Sequence, residues 1–131
     1  MASQGGFMDV SSRAIADVLL VQVTGRIDFA NSKEFENALM PKLAAISPGR
    51  GKVLLDLSGL TYISSSGLRV LMLASKQIRS VEGEIAVAAL QPMLVEIFEI
   101  SRFDKVFKVY GTISEALETL SPDAAVAYKS E

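Results

Sequence analysis

Short β-branched, apolar runs alternate with amphipathic stretches along this chain, and that alternation constrains the fold more than any other feature. Strands that take turns with helices point to an α/β domain with a mostly parallel sheet. A short strand over Phe7 to Ser12 and a turn over Ala14 to Asp17 precede "VLLVQVTGRID". There Val18 to Thr24 reads as a strand punctuated by Gly25. In "NSKEFENALMPKLAAI", Asn31 and Glu34 have capping-box spacing, and Phe35, Leu39, Leu43 and Ile46 share one helical face. Pro41 predicts a kink or an early end there. "SPGRG" is a turn, and Lys52 to Ser58 is a buried strand followed by a short loop.

Leu68 to Val81 has helical spacing, and "GEIAVAAL" is a further strand. Pro92 opens a helix whose apolar face is Leu94, Ile97 and Phe98. "KVFKVY" is a short strand, and "TISEALETL" is a helix with Thr112 and Glu115 as a second capping box. Ile113, Ala116, Leu117 and Leu120 form its inward face. The order ββαβαβαβα gives a mixed, mostly parallel sheet of about five strands with about four helices and an antiparallel edge from the first hairpin. One domain over residues 1–121 is expected, with 122–131 as a flexible C-terminal tail lacking an apolar repeat.

Composition narrows the chemistry. Half of the 131 residues are hydrophobic, enough for a packed core. Thirteen Lys and Arg against fifteen Asp and Glu leave a net charge of −2, and no basic run suggests nucleic-acid binding. There is no Cys and no His, which excludes disulfides and thiolate chemistry and removes the commonest general base and metal ligand. No apolar stretch is long enough to span a membrane. "MASQGGFMDV" lacks the basic end and apolar stretch of a signal peptide, so a cytoplasmic protein is expected.

The stretch "TYISSSGLRVLMLASK" places three hydroxyls at the start of a helix. On a wheel at roughly 100° per residue, Leu68, Leu71, Ala74, Ser75, Ile78 and Val81 form the core face. Ser65, Arg69, Lys76 and Ser80 lie opposite, flanked by Met72 and Leu73. That is either a modest docking surface or ordinary scattered surface apolar groups. Ser64 is placed as the cap, with Ser65 in the first turn, where free amides and the helix dipole tolerate an added dianion. A nucleophilic serine would need an activating base. No S-x-x-K spacing occurs at the serines. Asp28 and Asp56, at strand ends, are as readily turn formers as partners of a serine. No phosphate-binding loop or dinucleotide fingerprint is present. From the residues alone, a helix cap is the plainest reading of the three serines.

Three blocks in order, "VTGRIDFANS", "VLLDLSGLTYISSSGLRVLMLAS" and "LQPMLVEIFEISRFDKVFKVYGTISEAL", resemble the STAS domain and, within it, the bacterial anti-sigma factor antagonists. The likeness spans Val18 to Leu120. It implies that the unphosphorylated chain binds an anti-sigma factor kinase of GHKL type and frees a sigma factor. The kinase, with its own ATP and Mg²⁺, would then phosphorylate one serine, and a PP2C-type phosphatase would reverse this. The chain would need no cofactor, bind no metal and catalyse nothing. The family block reads D-S-S-G, so alignment on "SSGL" makes Ser65 the phosphorylated serine and Ser66 its neighbour. Ser64 replaces the family aspartate and becomes a rival phosphosite. Asp28 matches an acidic position near that loop. The expected partner surface comprises Asp28, Ser64, Ser66, Gly67, Arg69, Met72, Leu73 and Lys76, on a monomer or weak homodimer. The alternative is a non-switching STAS scaffold subunit, stressosome-like or in a transporter complex.

Overall fold

The apolar runs assemble into one five-stranded sheet in the computed structural model, which describes residues 7–131. The strands are β1 (Met8–Ile15), β2 (Val18–Ile27), β3 (Lys52–Ile63), β4 (Glu84–Ala88) and β5 (Lys108–Tyr110), and they lie side by side in chain order. β1 runs antiparallel to β2 through a two-residue turn, where Ala16 takes φ 51°. The other neighbours are parallel, as helical crossovers require. The first six residues, part of the expected 1–121 domain and of the non-signal start, lie outside the described residues.

Helices α1 (Ser32–Ala44), α2 (Ser65–Ser80) and α3 (Pro92–Ile100) cover one face. Phe35, Leu39 and Leu43 of α1 and Leu71, Ala74 and Ile78 of α2 close over Val21, Val23, Leu55 and Leu57. Phe98, on α3, meets Phe103 edge-on at 5.7 Å and leans on Phe107. The opposite face carries α4 (Ile113–Leu120) and α5 (Pro122–Lys129).

α5 corrects one expectation: the segment after residue 121 is a helix and not a flexible tail, which brings the α-helices among the described residues to five. Ser121 caps it by accepting from the Ala124 amide at 3.2 Å, and Pro122 occupies its first turn. Ala124 and Ala125 pack on Ile15, Val18 and Leu20. Such small residues leave no visible apolar stripe in a sequence, yet they let a helix lie close to a sheet. The Ser121 hydroxyl also donates to the Asp17 carboxylate, whose other oxygen meets Lys52 Nζ at 3.1 Å. The Ser121 bond, and then Lys52, hold Asp17 below its ordinary value.

Other boundaries move as well. Pro41 sits inside α1, which runs on to Ala44 because Leu39 and Leu43 anchor both sides of it. The expected capping box at Asn31 is not formed: the Asn31 side chain makes no cap bond and turns back into the preceding loop. Thr112 does cap α4, accepting from the Glu115 amide at 3.1 Å. β2 continues past Gly25 through a register shift, and β3 continues past Ser58 to Ile63. β4 ends opposite Asp56, so beyond that point β3 pairs with β2 alone, while β1 still flanks β2 as far as Gly25. The far end of this extension carries the three serines.

Candidate functional site

The serine turn is held at the tip of the β2–β3 extension. Ile27 and Ile63 are aligned partners at its end. The next amide, that of Ser64, donates to the Ile27 carbonyl at 2.8 Å. α2 therefore starts against the end of β2, one residue from Asp28.

Gly67 is what permits this close seating. A Cβ there would stand 2.7 Å from Ile27 Cγ2 and 2.7 Å from Ile63 Cγ1. Both neighbours are β-branched and stiff at χ1, so neither can swing away cheaply.

The three hydroxyls differ in what they do. Ser64 has extended backbone, and its Oγ accepts from the Gly67 amide at 3.2 Å. Ser64 is thus the cap, as expected. Its Oγ also shares a hydrogen bond with Ser66 Oγ at 2.9 Å. Ser65 is exposed in the first turn, and among the described residues its hydroxyl makes no hydrogen bond. No acidic residue occupies that first turn. The free amides and the positive helix end there suit an added negative charge.

Asp28 lies in the loop entering α1. Its carboxylate accepts from the Asn31 amide at 3.0 Å, and the Asn31 side-chain oxygen accepts from the Asp28 amide at 2.8 Å. Asn31 Nδ2 donates to the Arg26 carbonyl at 2.9 Å. These bonds stiffen the loop beside the serine turn and explain why Asn31 is unavailable to cap α1. Asp56 lies at the centre of the sheet, buried. One of its oxygens accepts from the Ser58 amide at 3.0 Å, and the other from Gln22 Nε2 at 3.2 Å. It is a structural hub of β3 and does not reach the three serines.

A groove of about 350 Å³ opens between α1 and α2, lined by Ser32, Lys33, Glu36, Ser66, Arg69, Val70 and Leu73. It gathers Ser66, Arg69 and Leu73 from the expected surface. Lys76 is exposed two turns beyond Arg69 on the same stripe, outside the groove. Met72 is half-buried and packs against the core. The core face of α2 is also rotated from expectation: Val70 and Gly67 are buried, while Leu68 and Val81 are half-buried. The sequence reading missed the α1 wall, Ser32, Lys33 and Glu36, because a helix wheel treats one helix at a time. It also passed over Phe29, which is 84% exposed in the Asp28 loop. A large aromatic inside a polar turn was the available signal.

Among the described residues, no group of His, Cys, Asp and Glu is placed to hold a metal ion, and no helix is long and apolar enough to cross a membrane.

Comparison with known proteins places these features in a family context. The family model for the STAS domain matches residues 9–116. A protein of Bordetella bronchiseptica, which carries the name anti-sigma factor antagonist BtrV, is 39% identical over 102 residues, covering 78% of this chain and 85% of that one. A STAS-domain containing protein of Pseudomonas aeruginosa is 34% identical over 91 residues, covering 70% of this chain and 86% of its own length. In three dimensions, the crystal structure of an anti-sigma factor antagonist from Mycobacterium paratuberculosis superposes with a TM-score of 0.76. Its identity is 24%, and the match covers 87% of this chain and 94% of that one. At that identity the likeness bears on the fold alone.

Proposed function

The chain belongs to the STAS domain family, and from that premise we propose that it is an anti-sigma factor antagonist switched by a phosphate on Ser65. In its unmodified form it binds an anti-sigma factor through the start of α2 and the α1–α2 groove. That partner is a kinase of GHKL type, which supplies ATP and Mg²⁺ and transfers a phosphoryl group to Ser65. A PP2C-type phosphatase removes it. The chain itself catalyses nothing, needs no cofactor and works in the cytoplasm.

One observation carries the choice of serine: Ser65 is exposed and its hydroxyl makes no hydrogen bond among the described residues, while Ser64 and Ser66 bond each other and Ser64 caps the helix. Phosphate on Ser64 would have to displace the Ser64 Oγ from its bonds to the Gly67 amide and the Ser66 hydroxyl. Phosphate on Ser65 adds about −1.5 to −2 charges at a helix end that tolerates them. The domain therefore stays folded while the docking surface changes sign locally. A partner presenting acidic groups to Arg69 and Lys33 would be repelled. The 39% identical relative, with its name, supports the same reading.

The test is a pull-down from the native cell with wild type, Ser65→Ala and Ser65→Asp, with each variant's melting curve recorded. Wild type and Ser65→Ala are expected to retain an anti-sigma factor, and Ser65→Asp to lose it at unchanged stability. Full retention by Ser65→Asp would sink the proposal.

A further inference from the structure

The two edges of the sheet are built differently. β5 contributes only three residues and carries Lys108, and short, lysine-bearing edges resist pairing with another chain. β1 is eight residues long, Met8–Ile15, and pairs with β2 without a register shift. It contains neither Pro nor Lys, and Ser11, Ser12, Arg13 and Ala14 are exposed along it.

Backbone parity decides which groups of β1 are open. The Arg26 amide donates to the Phe7 carbonyl at 2.7 Å, which makes Phe7 and Arg26 a hydrogen-bonded pair in the register of β1 and β2. In an antiparallel ladder such pairs recur at every second residue. Asp9, Ser11, Arg13 and Ile15 therefore turn their backbone groups toward β2. Met8, Val10, Ser12 and Ala14 turn theirs outward. Side chains alternate too: Asp9, Ser11 and Arg13 share the face on which Ile15 packs against the α4–α5 cluster.

We propose that β1 pairs antiparallel with β1 of a second copy of this chain, about a two-fold axis through Ser11. Val10 then stands opposite Ser12 of the second copy, and Met8 opposite its Ala14. All of these residues have open backbone groups to exchange. Asp9 stands opposite Arg13 of the second copy, and Arg13 opposite its Asp9. These two pairs fall at the positions without backbone hydrogen bonds, where opposed side chains come closest.

Charge singles out this register. An axis through Val10 or Ser12 leaves both charges facing uncharged residues. An axis through Asp9 or Arg13 opposes like charges. Arg13 already binds Glu131 of its own chain, but a guanidinium has five donors and serves two carboxylates. None of the pairing residues lines the α1–α2 groove, so association leaves that groove open. Isologous contact of this kind gives a closed dimer whose two five-stranded sheets are continuous.

Sedimentation equilibrium on the full chain tests this, with wild type, Asp9→Lys, Arg13→Glu and an equimolar mixture of the two variants. Wild type is expected to dimerise reversibly. Each variant alone opposes like charges twice and should self-associate about tenfold more weakly. The mixture restores two opposite-charge pairs and should recover wild-type association as a heterodimer, which a misfolded variant could not do. A wild type that stays monomeric at every concentration overturns the proposal. So does a mixture no tighter than its components, or an assembly whose size ignores the charge changes.

Discussion

Replacing Gly67 with alanine probes the junction that sets Ser65 in place. The new methyl would lie 2.7 Å from Ile27 Cγ2, 2.7 Å from Ile63 Cγ1 and 3.2 Å from Ile63 Cδ1, where ordinary contact begins near 3.4 Å. Two overlaps of this size in a buried, β-branched wall cost about 1–3 kcal/mol. Alanine's higher helix propensity offsets at most about 1 kcal/mol, and less in a first turn. The net expectation is a loss of about 1–2 kcal/mol. Urea unfolding should show a lower midpoint at unchanged slope. The loss should also be coupled to Ile63. In Ile63→Ala two of the three obstructing carbons, Cγ1 and Cδ1, are gone and Ile27 Cγ2 remains, so Gly67→Ala should then cost at least about 0.5 kcal/mol less. A Gly67→Ala protein as stable as wild type, or purely additive effects in the double variant, would refute the close-seating argument.

Two further outcomes follow from polar groups away from the turn. Ser75 is fully buried on α2, and its Oγ has no hydrogen-bond partner among the described residues. Ser75→Ala should raise stability by about 1 kcal/mol, seen as a higher thermal midpoint, since it removes an unsatisfied hydroxyl and improves helix propensity. Asp17 is held below its ordinary value of 3.8, first by the Ser121 hydroxyl. A depressed carboxyl stabilises the fold fully above its unfolded value, and that contribution vanishes as pH falls through the lower folded value. Ser121→Ala should therefore raise the Asp17 pKa toward 3.8 in a carboxyl NMR titration and flatten the loss of stability on acidification.

The architecture was legible because the strand and helix periods differ, and Val18–Ile27 and Lys52–Ile63 carry long β-branched or leucine-rich runs. What escaped notice was decided by neighbours. Asn31 has the spacing of a helix cap, but its amide group satisfies Arg26 and Asp28 instead. The α2 wheel placed Leu68 and Val81 in the core, whereas the lean of the helix start onto Ile27 and Ile63 buries Gly67 and Val70. α5 hides in Ala124 and Ala125, whose contribution depends on how near Ile15 and Val18 lie. At the site, the Ser64 cap could be read from its spacing, because capping is local. The groove wall from Ser32, Lys33 and Glu36 could not, because it needs two helices side by side.

The central claim is that Ser65, whose hydroxyl is unengaged among the described residues, carries the switch. The most direct measurement is mass-spectrometric site mapping of the protein isolated from its native cell, with fragment ions that separate Ser64, Ser65 and Ser66. The account predicts phosphate on Ser65, with Ser64 and Ser66 unmodified. Phosphate on Ser64 or Ser66, or none under any growth condition, would contradict it.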